Sequence, residues 1–220
     1  MVYIKTYDAP PCDTREILRY AGVRSDAPDM VELLESCLAE VQGKLSYKAC
    51  WQTFPVILRD DAVDLTFTQT TSASLRKHLQ GCGSIVLFAA TVGLELDRLI
   101  TRYSRISPSR ALMFQAIGAE RIEALCDLVS RDTAETAAEC GMHTTSRFSP
   151  GYGDLPLDIQ RDIFRVLDCP RKIGLTLNES LLMSPSKSVT ALIGIGGEGC
   201  QTASGCRTCS HLNCTFRGMK

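Results

Sequence analysis

Arg147-Phe148-Ser149-Pro150-Gly151-Tyr152 places a fixed cation, a bare backbone and an aromatic ring within six residues. The planar guanidinium of Arg147 matches a carboxylate with two parallel hydrogen bonds. Pro150-Gly151 turns the chain, and a glycine lets a ligand approach the main chain closely. Tyr152 adds a flat ring with a polar tip. Such a loop suits a small zwitterion that carries a flat ring of its own. His143, four residues before the arginine, has the chemistry of a proton carrier, but the sequence offers it no paired nucleophile or carboxylate. No catalytic dyad is recognisable, so the chemistry read here is binding rather than acid–base work.

A second concentration of reactive side chains lies at the C-terminus, where Cys200, Cys206, Cys209 and Cys214 follow C-x5-C-x2-C-x4-C. Cys206 and Cys209 have the short spacing used by zinc and iron–sulfur sites, and Cys200 and Cys214 would complete four ligands. A redox pair at Cys206 and Cys209, or a reduced and unligated tail, fits the same residues. Just before it, Gly194-Ile195-Gly196-Gly197-Glu198-Gly199 satisfies G-x-G-x-x-G. A dinucleotide fold needs a helix directly after that motif and an acidic residue about 20 positions on. Gln201-Thr202-Ala203-Ser204-Gly205 follows and the sequence stops at Lys220, so the run reads as a flexible connection. His78-Leu79-Gln80-Gly81 echoes half of a cobalt-ligating loop, but Arg76 stands where its aspartate partner belongs, so it reads as a helix end.

The elements that carry these residues follow from patterning. Asp13 with Glu16 three residues later starts a short helix ending near Gly22. Asp26 or Asp29 caps a second, whose apolar residues Val31, Leu34, Leu38 and Val41 have helical spacing. From Ser46 to Phe67 the pattern turns β-like. Ser72 to Leu79 reads as a short helix closed by Gly81, Ser84 to Ala90 as a buried strand, and Leu94 to Tyr103 as helix. Ser107-Pro108 opens a long helix with Leu112, Ile117, Ile122, Leu125, Cys126 and Val129 on its core face, ending near Gly141. After the Arg147 loop come a helix from about Leu157 to Leu167 and extended segments around Leu175-Leu177 and Val189-Ile195. Helices and strands mix without strict βαβ alternation, which predicts α+β: a mixed or antiparallel twisted sheet flanked by helices. The division predicted is one domain over 1–198 and a cysteine-rich tail over 199–220.

Bulk properties remove several function classes. A formal net charge of −1 gives no electrostatic case for nucleic acid or an acidic membrane. The longest apolar run, Ile85 to Leu94, is about half a membrane span. Met1-Val2-Tyr3-Ile4-Lys5 carries no secretory pattern, and eleven cysteines, an odd number, argue against a secreted disulfide framework, which places the protein in the cytoplasm.

The Arg147 loop gains meaning from a second block, Leu177-Asn178-Glu179-Ser180-Leu181-Leu182-Met183-Ser184-Pro185, with Ser188-Val189 beyond. An R-x-x-x-G-Y loop, a helix, then x-E-S-x-x-M-x-P resembles the activation domain of cobalamin-dependent methionine synthase, most closely from about Arg147 to Val189. In that family the matching loop holds S-adenosylmethionine. The resemblance implies that Arg147 binds the methionine carboxylate, that the backbone at Ser149 and Gly151 contacts the ligand, and that Tyr152 lines the site. Glu123 falls at an acidic position of the family, whereas Glu179 and Met183 shape the strand. The sequence departs from the pattern at Gly153-Asp154-Leu155-Pro156, where the family's synthases carry Pro-Ala-Cys-Pro, and in ending on cysteines instead of an aromatic strand.

The implied role is reductive methylation of inactive cob(II)alamin, with one electron from a flavodoxin-like donor and the methyl group from S-adenosylmethionine. Cobalamin would be carried by a partner synthase lacking its own activation domain, on which this chain acts in trans. Orientation of the methyl donor, without a strong general base, is what such a site supplies. Two other readings are an activator of a different corrinoid methyltransferase with an iron–sulfur tail, and a non-catalytic module that docks through tail zinc.

Overall fold

The computed structural model describes residues 1–23 and 27–200. In chain order the elements are β1 (Tyr3–Thr6), α1 (Thr14–Tyr20), α2 (Pro28–Val41), β2 (Lys48–Pro55), β3 (Ile57–Leu58), β4 (Val63–Asp64) and β5 (Gln69–Thr70). There follow α3 (Ala73–His78), β6 (Cys82–Thr91), α4 (Glu95–Ile106), α5 (Pro108–Glu139) and β7 (His143–Thr144). The last are α6 (Ile159–Leu167), α7 (Cys169–Ile173), β8 (Thr176–Leu177), β9 (Met183–Ser184) and β10 (Ser188–Gly196). A five-stranded sheet has the order β1-β2-β6-β10-β7, with antiparallel pairing at both edges, and helices complete an α+β architecture. That is the class the mixed pattern predicts.

Two compact units divide the chain: residues 1–52, 88–129 and 160–190 form one, and residues 53–87, 130–159 and the stretch from Ala191 form the other. In the first unit, α1 starts where predicted, with the Asp13 carboxylate accepting from the backbone N–H groups of Arg15 and Glu16. α2 starts differently: Ala27 is at the N-cap without a side-chain bond, and Pro28 opens the helix with its φ already fixed. Leu34, Cys37 and Val41 of α2 are buried, as are Leu96 and Leu99 of α4 and Phe114 and Ile117 of α5. Each such large side chain contributes about 1.5–3 kcal/mol by leaving water. Leu112, predicted for the core face, is half exposed, and Met113 and Phe114 are buried instead.

Polar clusters hold the same unit at two places. Arg110 donates to Glu40 at 2.6 Å while its guanidinium lies over the Tyr103 ring, whose hydroxyl also donates to Glu40. The buried Arg121 pairs with Glu120 and donates to the carbonyls of Pro10 and Pro11 at 2.6 and 2.7 Å. Glu120 accepts in turn from the backbone N–H of Asp13, so these two neighbours on α5 fix the segment leading into α1. β8 and β9 form a hairpin in which Glu179 is exposed at the turn, its carbonyl accepting from Arg161.

In the second unit the β-like stretch after β2 becomes a small sheet, β3-β4-β5, with Val63 and Leu65 fully buried and Phe54 packed on Phe67. The predicted buried strand is β6, and Ile85 and Leu87, in the part of it that belongs to this unit, have no exposed surface. The run from Gly194 is not a loose connection: residues through Gly196 belong to β10 and pair with β7. No helix among the described residues is long and apolar enough to cross a membrane.

Candidate functional site

The Arg147 loop is assembled within the second unit, and its backbone is fixed on both sides of the arginine. β7 pairs with the end of β10, Thr144 opposite Ile195 and His143 opposite Gly196. Immediately after, Thr145 exchanges two bonds with Gly194: its N–H donates to the Gly194 carbonyl at 2.9 Å, and its hydroxyl accepts from Gly194 N–H at 2.8 Å. Phe148 and Leu192 then exchange both backbone bonds at 2.9 Å. Arg147, half-buried, therefore sits between two anchored residues.

α3 supplies the next support. His78, its last residue, donates from Nε2 to the Ser146 carbonyl at 2.8 Å, and its ring packs on Phe148 with centroids 4.9 Å apart. Burial pushes the His78 imidazole below its ordinary value, opposed by the bond to Ser146, so the neutral ring is the favoured form. The sequence reading of His78 as a helix end is right, and its role is to hold the peptide that precedes Arg147.

Beyond Phe148 the chain makes a tight double turn. Gly151 N–H donates to the Leu155 carbonyl, Tyr152 N–H to Ser149, and Leu155 N–H to Tyr152. Gly151 has φ +89, in the region that only glycine enters without strain. Asp154 clamps the turn to the start of α3. Its carboxylate accepts from the Ser72 hydroxyl at 2.5 Å and from the N–H groups of Ala73 and Ser74 at 2.8 and 3.1 Å. These bonds, the Ser72 hydroxyl first, hold the Asp154 carboxyl well below the usual carboxylate range. Ser72 is itself the N-cap, accepting from Leu75 N–H at 3.0 Å.

Beside this loop is a cleft of about 540 Å³ lined by Ser74, Lys77, His78, Gln80, Phe148 and the backbones of Gly81 and Gly199. That volume falls within the range of small-molecule sites. Tyr152 stands out from the turn with two thirds of its surface exposed.

The span from α3 to the end of the described chain also decides the family. A profile described as vitamin B12 dependent methionine synthase, activation domain, matches residues 75–199. The chain belongs to that family. Among solved structures, the crystal structure of the MetH reactivation domain bound to AdoHcy is similar, with a TM-score of 0.62 and 18% sequence identity, covering 88% of this chain and 78% of that one. This likeness establishes a shared fold. Comparison with curated proteins found no match.

Within this activation-domain chain, the loop residues Arg147, Ser149, Gly151 and Tyr152 lie in one continuous, anchored segment of the second unit. Glu123 lies on α5 in the first unit, exposed, with the Tyr20 phenol as a neighbour. His143 is exposed on β7 and contributes its backbone to the sheet. Of the four tail cysteines, Cys200 is buried with its thiol 3.3 Å from that of Cys82. Cys206, Cys209 and Cys214 lie outside the described residues. Among the described residues, no group of three or more His, Cys, Asp or Glu is placed to hold a metal ion.

Asp154 and Cys82 make contacts around the loop and cleft that motif reading passes over. Asp154 is visible in the sequence only as part of the departure from the family's Pro-Ala-Cys-Pro. Nothing local ties it to Ser72, 82 residues away.

Proposed function

We propose that this chain is an S-adenosylmethionine-binding reactivation subunit acting in trans on a cobalamin-dependent methionine synthase that lacks its own activation domain. The observation that carries the reading is the anchored Arg147 loop inside the span that matches the activation-domain family. In this reading residues 1–198 are the working domain and residues 199–220 an appended tail. The chain's own residues fit the methyl donor. Arg147 presents a guanidinium for the methionine carboxylate, Gly151 leaves the backbone bare beside Ser149, and the exposed Tyr152 ring is free to lie against a flat base. Glu123 is assigned to the ligand by its family position alone. The AdoHcy held by the similar MetH domain is the demethylated form of that donor, which supports the assignment.

S-adenosylmethionine supplies a sulfonium methyl group for transfer to the cobalamin of the partner, with an electron from a flavodoxin-like donor. What the chain contributes is binding and orientation, at a rigid site, of a donor that needs no general base. Rigidity is the property that the β10 bonds, the His78–Ser146 bond and the Asp154 clamp provide together.

The test uses a cob(II)alamin-containing methionine synthase without an activation domain, a reducing system and S-adenosylmethionine. Adding the full chain is expected to restore methionine formation in a saturable manner, and the Arg147→Ala chain is expected to restore little. No recovery at any concentration of the wild-type chain would refute the trans role.

A further inference from the structure

The glycine run Gly194 to Gly199 has a structural purpose that the methyl-donor site does not use. A Cβ on Gly194 would lie 2.6 Å from the Cys82 sulfur, and one on Gly196 would strike the Gly81 carbonyl and the Cys82 Cα. From the opposite side, a Cβ on Gly81, whose φ is +78, would lie 2.6 Å from the Gly199 carbonyl carbon and 3.0 Å from the Cys200 nitrogen. Two stretches of bare backbone are therefore pressed together where α3 passes into β6 and where β10 ends. The turn is closed by Cys200 N–H donating to the Gly197 carbonyl.

This close approach brings two buried thiols into contact. The Cys82 and Cys200 sulfurs are 3.3 Å apart, with 8% and 5% of each residue exposed. Cys200 also donates to the His143 carbonyl at 3.5 Å. Closing the sulfurs to a bond requires roughly 1.2 Å of movement, given an S–S length near 2.05 Å. Two sulfurs packed side by side by three substitution-intolerant glycines form a built arrangement, not a chance neighbourhood.

We propose that Cys82 and Cys200 are a reversible disulfide pair, a modification site that fastens the end of β10 to the start of β6 at the wall of the 540 Å³ cleft. Gly81 and Gly199, the residues preceding the two cysteines, both line that cleft, so the bond fixes part of its surface. A small neutral oxidant of the peroxide class suits thiols this buried. The Cys200 thiolate attacks one oxygen of hydrogen peroxide, the O–O bond breaks, and hydroxide leaves, giving a sulfenic acid. Cys82 then attacks that sulfur, forming the S–S bond and giving up its proton as water departs. Two thiols lose two electrons and two protons, and one peroxide becomes two waters.

The experiment treats the reduced full-length chain with hydrogen peroxide, alkylates free thiols, digests with trypsin and maps disulfides by mass spectrometry. The expected product joins peptide 78–98 to peptide 188–207 through Cys82 and Cys200 in most molecules. Dithiothreitol should reverse it, and Cys206→Ser, which removes the competing thiol in the second peptide, should retain it. Cys82 remaining free to alkylate while Cys200 pairs with Cys206, Cys209 or Cys214 would overturn the proposal. So would protection of both thiols by a bound metal that a chelator removes. This outcome is independent of S-adenosylmethionine binding.

Discussion

Ser72→Ala is the sharpest test of how the Arg147 loop is held. The Ser72 hydroxyl accepts from Leu75 N–H at 3.0 Å and donates to Asp154 at 2.5 Å, while the residue is only 3% exposed. Removing it takes away the N-cap of α3 and the shortest of the hydrogen bonds donated to Asp154. Loss of such a cap costs about 0.5–2 kcal/mol, and a buried N–H left without a partner places this case in the upper half of that range, about 1–2 kcal/mol. With a urea slope of about 2 kcal/mol per molar, the unfolding midpoint should fall by roughly 0.5–1 M. The ligand should feel the change separately. If the turn around Gly151 loses the order of even one residue, restoring it on binding costs about 1–2 kcal/mol, a roughly five- to thirty-fold loss of affinity. Asp154→Ala separates the two effects, because it leaves the Ser72 cap on Leu75 N–H in place and removes only the acceptor of the clamp. Its stability loss should be the smaller and its affinity loss should remain. A midpoint shift below about 0.1 M for Ser72→Ala, with unchanged affinity, would refute the reasoning about this clamp.

Arg121→Met should be among the most destabilising single changes, because it strands the buried Glu120 carboxylate and the Pro10 and Pro11 carbonyls. The loss expected is about 3–5 kcal/mol by urea denaturation, and a loss under about 1 kcal/mol would contradict the account. His78, held below its ordinary value by burial, contributes stability that is full above its unfolded pKa near 6.5 and is lost as pH falls through the lower folded value. His78→Gln should therefore flatten the fall in stability as pH drops below about 6.5, and NMR titration of the ring should show protonation only at lower pH than for a free histidine. Asp154, also depressed in the folded state, adds stability above its unfolded pKa of about 3.9 that disappears as pH falls further. Asp154→Asn should make acid unfolding less steep in that lower range.

What was legible in the sequence divides along the range of the interactions. α1, α3 and α5 start at Asp13, Ser72 and Ser107-Pro108 because caps and first-turn prolines act within four residues. β6 was legible because a strand buried on both faces is a continuous apolar run. The start of α2 was misplaced because Pro28 with Ala27 before it needs no polar cap. Leu112 was assigned inward because helical spacing alone does not choose between it and Met113 or Phe114 one and two residues on. α7, five residues long after an aspartate with φ +51, carries too little periodicity to be noticed. The candidate site's structure was half readable. The Arg147 loop was marked by its own residues, whereas the clamp joins Ser72 to Asp154 across 82 positions and the thiol contact joins Cys82 to Cys200 across 118. The glycine run shows the same limit from the other side. Its residues look like a loose linker or a phosphate loop until the partner backbone at Gly81 and Cys82 is known.

The central claim is that the anchored loop binds S-adenosylmethionine through Arg147. Calorimetric titration of S-adenosylmethionine into the full chain, beside Arg147→Ala, with and without a cob(II)alamin-containing synthase, tests it most directly. The account predicts saturable binding of about one ligand per chain that Arg147→Ala weakens at least tenfold, the equivalent of roughly 1.4 kcal/mol or more for a lost charge-assisted pair. Absence of binding in both conditions, or equal binding by wild type and Arg147→Ala, would contradict it.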